Sequence, residues 1–401
     1  MRSSRLSRCC VSRRSTESAI QTSNYMRYQG LIERYRDRLP VEEATPVVSL
    51  NEGDTPLIKL VNLPAELAAE TGKAPVEIYV KYEGLNPTGS FKDRGMTMAV
   101  SKAAEKGAKA IVCASTGNTS AAAAAYAARA GMTAFVLIPE GKIPMGKLAQ
   151  AIAHGAVVLQ IRGNFDDGMR LVKEVAGEAP VEIVNSINPY RLQGQKTGAF
   201  EIIEALGDAP DYHCIPVGNA GNISGYWIGY SEMAGCNTAS CTLCNGACPY
   251  LGNVKATRRP IMVGYQAAGA APFMRGAPVE APETLATAIR IGNPQSWDLA
   301  KAAVEESKGW FDEVTDEELL ATQSLLATRE GVFCEPASAV SLCGALRDIR
   351  AGRIAPGSTI TCTLTGHGLK DTATAIAGRE AVETVDADLA SVKAAIVGRL
   401  S

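Results

Sequence analysis

From residue 77 onwards the chain alternates between short apolar runs rich in β-branched residues and longer alanine-rich segments whose apolar positions recur every three or four residues. Ile78-Tyr79-Val80, Ala110-Ile111-Val112, the runs 134–138 and 156–161, and Glu182-Ile183-Val184 read as strands. Cys214-Ile215-Pro216-Val217, Ile261-Met262-Val263 and 358–364 continue the series, while 96–106, 316–329 and 337–350 carry helix-forming composition. The alternation predicts an α/β fold with parallel sheets, because strands apolar on both faces need helices to cover them. The weakly polar stretch 121–138 is broken by Arg129 and Gly131, so it predicts helix, turn and strand and not a membrane span.

Composition narrows the classes of function. At 401 residues the chain is long for one core, which predicts two subdomains with a cleft between them. A hydrophobic content of 46% with 20% charged residues is that of an ordinary globular protein, and a net charge of −2 offers no basic footprint for nucleic acid. A small-molecule partner follows. Eleven cysteines without an apolar signal core argue for reduced thiols, with Cys113, Cys214, Cys334, Cys343 and Cys362 in buried runs. His154, His213 and His367 are too few and too scattered for a histidine metal cluster. Residues 1–25 hold Arg2, Arg5, Arg8, Arg13 and Arg14 among serines with Glu17 the sole acid; this fits a targeting segment to an organelle or an upstream start of translation, the remainder being cytoplasmic.

Ligands of open α/β sheets bind beyond the carboxyl ends of the strands, so the loops after the apolar runs are where chemistry belongs. Asn86-Pro87-Thr88-Gly89-Ser90-Phe91-Lys92-Asp93-Arg94-Gly95 puts a lysine where a Gly/Pro turn gives way to a helix. Lys92 becomes a Schiff-base nucleophile if burial and a cationic neighbour lower its pKa, and Arg94 with the helix N-terminus are the neighbours at hand. The same Ser-x-Lys-Asp pattern also serves as ordinary capping. Ser115-Thr116-Gly117-Asn118-Thr119-Ser120 precedes an alanine helix. Gly218-Asn219-Ala220-Gly221-Asn222-Ile223 lets backbone amides approach an anion at a helix start, with spacing unlike a dinucleotide fingerprint or a Walker loop. Thr365-Gly366-His367-Gly368 offers a neutral hydroxyl to a ring nitrogen.

Together these motifs resemble the fold type II family of pyridoxal-phosphate enzymes, of tryptophan-synthase-β-like architecture. With Gly53-Asp54-Thr55-Pro56-Leu57 and Asn185-Ser186-Ile187-Asn188-Pro189-Tyr190-Arg191, their order is similar to the threonine synthases of the short bacterial type. The resemblance implies that Lys92 carries the cofactor and shuttles protons, that Asn118 meets its phenolic oxygen, that 218–223 hold its phosphate and that Thr365 faces its ring nitrogen. It implies O-phospho-L-homoserine as substrate, held by Ser115, Thr116, Thr119, Asn185, Ser186, Arg191 and Asn219, in a homodimer. Arg191 separates this reading from serine or threonine dehydratases, since a guanidinium is the bidentate clamp that a phosphate monoester needs. A large domain of 26–84 with 176–401, and a smaller one of 85–175, are implied as well. A catalytically dead paralogue is the non-enzyme alternative, and retention of Lys92, Asn118 and Thr365 together argues against it.

The chain departs from the resemblance at 236–252. Cys236, Cys241, Cys244 and Cys248 crowd into one loop as Cys-x4-Cys-x2-Cys-x3-Cys-Pro. The spacing partly resembles iron–sulfur runs, and four thiolates equally satisfy tetrahedral zinc, yet only one Cys-x2-Cys knuckle is present. A plain surface insertion fits the spacing too.

Overall fold

The structure, a computed structural model, describes residues 28–140, 145–163, 165–244, 246–377 and 383–399. The extension 1–25 lies outside them. Two sheets organise the rest. The larger has the order β1-β2-β10-β7-β8-β9, with β1 Leu57–Lys59, β2 Glu77–Tyr82, β7 Tyr212–Pro216, β8 Ile261–Ala267, β9 Trp310–Val314 and β10 Thr359–Leu364. All its pairings are parallel except that of β1, which runs antiparallel to β2 at the edge. The smaller is wholly parallel, β5-β4-β3-β6, with β3 Ala110–Ala114, β4 Thr133–Pro139, β5 Val157–Ile161 and β6 Val181–Ile183. It reaches past residue 175 because β6 pairs with β3, and Val48 joins its core.

Both sheets are covered on both faces, as near-continuous apolar strands require. One face of the large sheet packs Val80, Val263 and Ile360 against Val340 and Leu346 of the helix Pro336–Ala351. The other packs Ile215 and Val217 against Phe200 of the helix Thr197–Leu206 and Ile223 and Trp227 of the helix Gly221–Met233. The small sheet lies under the helices Lys92–Glu105 and Asn118–Arg129 on one face and Phe165–Glu178 on the other. The run of alanines 121–125 in the Asn118 helix is fully buried, and its small side chains let that helix lie close on the strands.

Strand order brings the site together. In the large sheet β2, β10 and β7 are neighbours, so the loops leaving their carboxyl ends, 83–91, 365–368 and 218–220, emerge side by side. In the small sheet the neighbours β3 and β6 send out the 115–117 and 184–188 loops in the same way.

Candidate active site

Lys92 opens its helix, one turn earlier than the composition at 96–106 suggests. Asp93, in the first turn, reaches back: its carboxylate accepts from the Thr88 backbone N–H at 2.6 Å and from the Thr88 hydroxyl at 2.5 Å, closing the turn. The loop is then zipped to its neighbour. Phe91 N–H donates to Thr365 O at 3.0 Å, and His367 N–H donates to Gly89 O at 2.9 Å. Glu335 N–H donates to Gly366 O at 3.0 Å, so a third segment joins the same seam.

The Lys92 amine lies 4.3 Å from the centre of the Phe91 ring. Loss of water around it, then the positive charge of Arg191, lower its pKa to about 7, against an opposing pull from Glu335. The cationic neighbour is therefore Arg191 and not the expected Arg94. Arg94 points into a buried ion network, pairing with Glu83 at 2.6 Å and with Glu201 at 2.6 Å. Two residues along a helix turn a side chain by about 200°, away from the face that Lys92 occupies.

Arg191 is 1% exposed, on the helix Pro189–Gln195. The bond from Nη1 to Val184 O at 3.2 Å is the guanidinium's sole hydrogen bond among the described residues, and Nε and Nη2 have no partner. Burial lowers its pKa to about 10, with Cys113 opposing. Such a guanidinium is costly unless an anion meets it. Its helix is drawn against the Lys92 helix by glycines: a Cβ on Gly194 would lie 1.8 Å from Arg94 O, and one on Gly95 would lie 3.1 Å from Arg191 Cβ.

At the carboxyl end of β7, Ala220 adopts φ 66°, a left-handed conformation rare outside glycine, directly before the helix Gly221–Met233. Strain of this kind persists where it turns backbone N–H groups towards an anion. A Cβ on Gly218 would lie 3.1 Å from Ile289 Cα, so the turn is packed to the backbone. Asn222 is buried with neither amide atom partnered. Asn219 braces the turn, its Oδ1 accepting from Gln295 N–H at 3.4 Å and its carbonyl from Ser296 N–H at 3.1 Å.

Asn118 donates to both oxygens of Glu335 at 3.2 Å. The Thr365 hydroxyl shares a 2.9 Å bond with Ser338 and is 3.5 Å from Glu335. Glu335 is the residue that sequence reasoning missed: a buried carboxylate whose pKa burial raises, at the seam of all three loops. Its signal was Pro336, which at a helix start makes Glu335 the preceding cap. Of the proposed substrate set, Ser115 and Thr116 lie in the loop that leaves β3 and Thr119 is buried in the first turn of the helix that follows. Asn185 spends its amide on Ala114, accepting from its N–H at 3.1 Å and donating to its carbonyl at 3.0 Å. It thus ties the β6 loop to the end of β3, and Ser186 is half-buried beside it. His213 is structural, caught between Tyr230 at 2.8 Å and Thr363 at 2.9 Å with its pKa lowered by burial to about 3.

Residues 48–366 match the family model described as pyridoxal-phosphate dependent enzyme. The chain is 56% identical over 349 residues to a threonine synthase of Synechocystis sp., covering 87% of this chain and 85% of that protein. It is 53% identical over 372 residues to a threonine synthase of Mycobacterium tuberculosis, covering 92% and 97%. The chain belongs to the threonine synthase family. Membership makes it a pyridoxal-phosphate-dependent lyase of fold type II. Solved structures of lower identity share the fold: a maize serine racemase at TM-score 0.63 and 19% identity, covering 86% of this chain and 92% of that one. A threonine deaminase of Solanum lycopersicum, at TM-score 0.63 and 21% identity, covers 82% and 89%.

The residues present fit the cofactor of the family. A desolvated lysine, a strained amide cradle, a buried asparagine with both amide atoms unpartnered and a hydroxyl at the end of β10 are what a phosphorylated pyridine aldehyde requires. Arg191, buried with Nε and Nη2 unpartnered, has donors to spare for a further anion.

Proposed function

We propose that the chain converts O-phospho-L-homoserine and water into L-threonine and inorganic phosphate, with pyridoxal phosphate held by Lys92, Asn118, Thr365 and the 218–223 cradle. The observation that carries this reading is Arg191: a buried guanidinium with two unpartnered nitrogens, electrostatically coupled to Lys92. A dehydratase acting on an uncharged side chain gives it nothing to bind. In the net reaction the Cα and Cβ protons leave, the Cγ–O bond to phosphate breaks, Cγ and Cα are protonated and water adds at Cβ. Pyridoxal phosphate, when bound, supplies the electron sink that makes the Cα and Cβ protons removable.

The rest is the work of this chain. Lys92, with a pKa lowered to about 7 and so a large neutral fraction at physiological pH, attaches the cofactor and carries protons between the substrate carbons. Arg191 holds the substrate phosphate before and after the bond breaks, and Ser115, Thr116, Thr119, Ser186 and Asn219 add neutral donors around substrate and product. Asn185 keeps the two loops that carry them in register. Glu335 orients the Asn118 amide. The proposal extends, on the family resemblance, to a homodimer in the cytoplasm.

The test is release of phosphate and amino-acid product from the purified holoenzyme given O-phospho-L-homoserine, with L-threonine and L-serine as alternatives. Equal amounts of threonine and phosphate are expected. Oxobutyrate from threonine without turnover of the phosphorylated substrate would overturn the reading in favour of a dehydratase.

A further inference from the structure

The cysteine loop converges in space as well as in sequence. Cys236, Cys241, Cys244 and Cys248 all line one small cavity of about 10 Å³. The Cys244 thiol lies close enough to those of Cys241 and Cys248 to interact with both, and burial with these neighbours raises its pKa. Glu232 lines the same cavity, and its carboxylate is held by Lys196 at 2.6 Å and Arg38 at 3.1 Å. The loop is packed and not loose: Cys241 is buried against Leu192 and Ile228, and Gln193 donates to its sulfur at 3.7 Å.

We propose that Cys236, Cys241, Cys244 and Cys248 form a tetrathiolate site for a single thiophilic divalent ion, with zinc the ion that fits. Four sulfur ligands select zinc or iron, and size decides between a single ion and a cluster. A cavity with room for one water-sized particle takes one ion and not a four-iron cluster. Charge agrees: four thiolates around a divalent cation carry a net charge of −2, and Lys196 and Arg38 outweigh Glu232 by one positive charge next to it. Among the described residues no three ligands are already set for coordination, so the ion draws the sulfurs together within the packed loop, displacing the thiol protons to solvent as it binds. The site would fasten the loop to the Arg191 helix through Leu192 and to the phosphate-loop helix through Ile228.

The test uses the full chain purified without added chelator, after supplying zinc and dialysing. About one zinc per chain is expected, with cobalt replacing it to give the intense visible bands of a tetrahedral thiolate site. Four additional thiols per chain should react with a thiol reagent once a strong chelator removes the ion. The Cys241→Ser/Cys244→Ser double variant should lose the metal while keeping the visible absorbance of bound cofactor, and Cys343→Ser should keep both. Iron with labile sulfide, a metal content unchanged in the double variant, or a thiol count indifferent to chelation would each overturn the site. The thiol count needs no variant, so misfolding of the double variant leaves the proposal testable.

Discussion

At Lys92 two charges of opposite sign compete, and burial settles the outcome. Arg191 and the loss of water push the amine towards neutrality and Glu335 pulls it back, leaving the pKa at about 7. The free amine is the nucleophile, so the rate at which cofactor-free chain gains visible absorbance on mixing with pyridoxal phosphate should rise through about pH 7 and level off above it. An ordinary lysine would still be climbing near pH 10. The linkage has a definite sign. The folded chain gives up this proton near 7 and the unfolded chain keeps it to 10.5, so the lysine's contribution to cofactor-free stability improves as pH rises across that window. Arg191→Ala removes the charge that, with burial, depresses the amine, and the attachment midpoint should move upward. The same substitution should lower kcat/KM for O-phospho-L-homoserine by about 10- to 150-fold, the equivalent of one charged hydrogen-bond set at about 1.5–3 kcal/mol, with cofactor still bound. Arg191→Lys should recover the midpoint but little of the affinity, because an ammonium cannot make the bidentate contact.

Two helices must touch for Arg191 to act on Lys92, and their contact is made of backbone. Gly194→Ala would drive a methyl to within 1.8 Å of Arg94 O, which no rotamer change relieves. The helices must part, at a cost of at least about 1–3 kcal/mol, and Arg191 moves with its helix. Urea unfolding should show the loss, and the KM for the phosphorylated substrate should rise more than kcat falls. Gly177→Ala, in the helix Phe165–Glu178 where nothing lies within 4 Å and the backbone is ordinary, is the packing control. The elements differ in how far the sequence disclosed them. Strands β3 and β7 were legible because buried parallel strands are apolar on both faces and stand out as continuous runs. Strand β1 was not, since three residues at an antiparallel edge owe their conformation to β2 and carry no period of their own. Half-buried β9 hides its pattern in Trp-Phe-Asp-Glu-Val. The site divides the same way. Lys92, Asn118, the 218–223 loop and Thr365 each follow a legible strand or turn, whereas the partnership of Lys92 with Arg191, and of Asn118 with Glu335, joins segments that only the folded chain brings together.

At the scale of the molecule, the network that captures Arg94 ties one sheet to the other. Arg94 belongs to the helix that covers the small sheet, Glu83 and Lys81 to the β2 end of the large sheet, and Glu201 to the helix Thr197–Leu206 packed on one face of the large sheet. Glu201 receives Lys81 at 2.6 Å and Arg94 on both oxygens, at 2.7 and 2.6 Å, in a site almost wholly closed to water. Burial works against its charge, yet Arg94 and Lys81 hold the carboxyl well below the usual carboxylate range. Glu201→Gln keeps the shape and removes the charge, leaving Arg94 with Glu83 and depriving buried Lys81 of its carboxylate. A loss of about 3–5 kcal/mol is expected, as for breaking a buried ion pair by deleting one partner. The pH dependence separates this cause from simple misfit. A depressed carboxyl contributes stability that is complete above its unfolded value of 4.5 and is lost as pH falls towards the folded one. The gap between wild type and Glu201→Gln, measured by urea unfolding, should therefore be widest near neutral pH and narrow steadily below pH 4.5. A gap that stayed constant into acid would mean that the amide disrupts packing and that the charge of Glu201 is not what holds the two sheets in the relation the site requires.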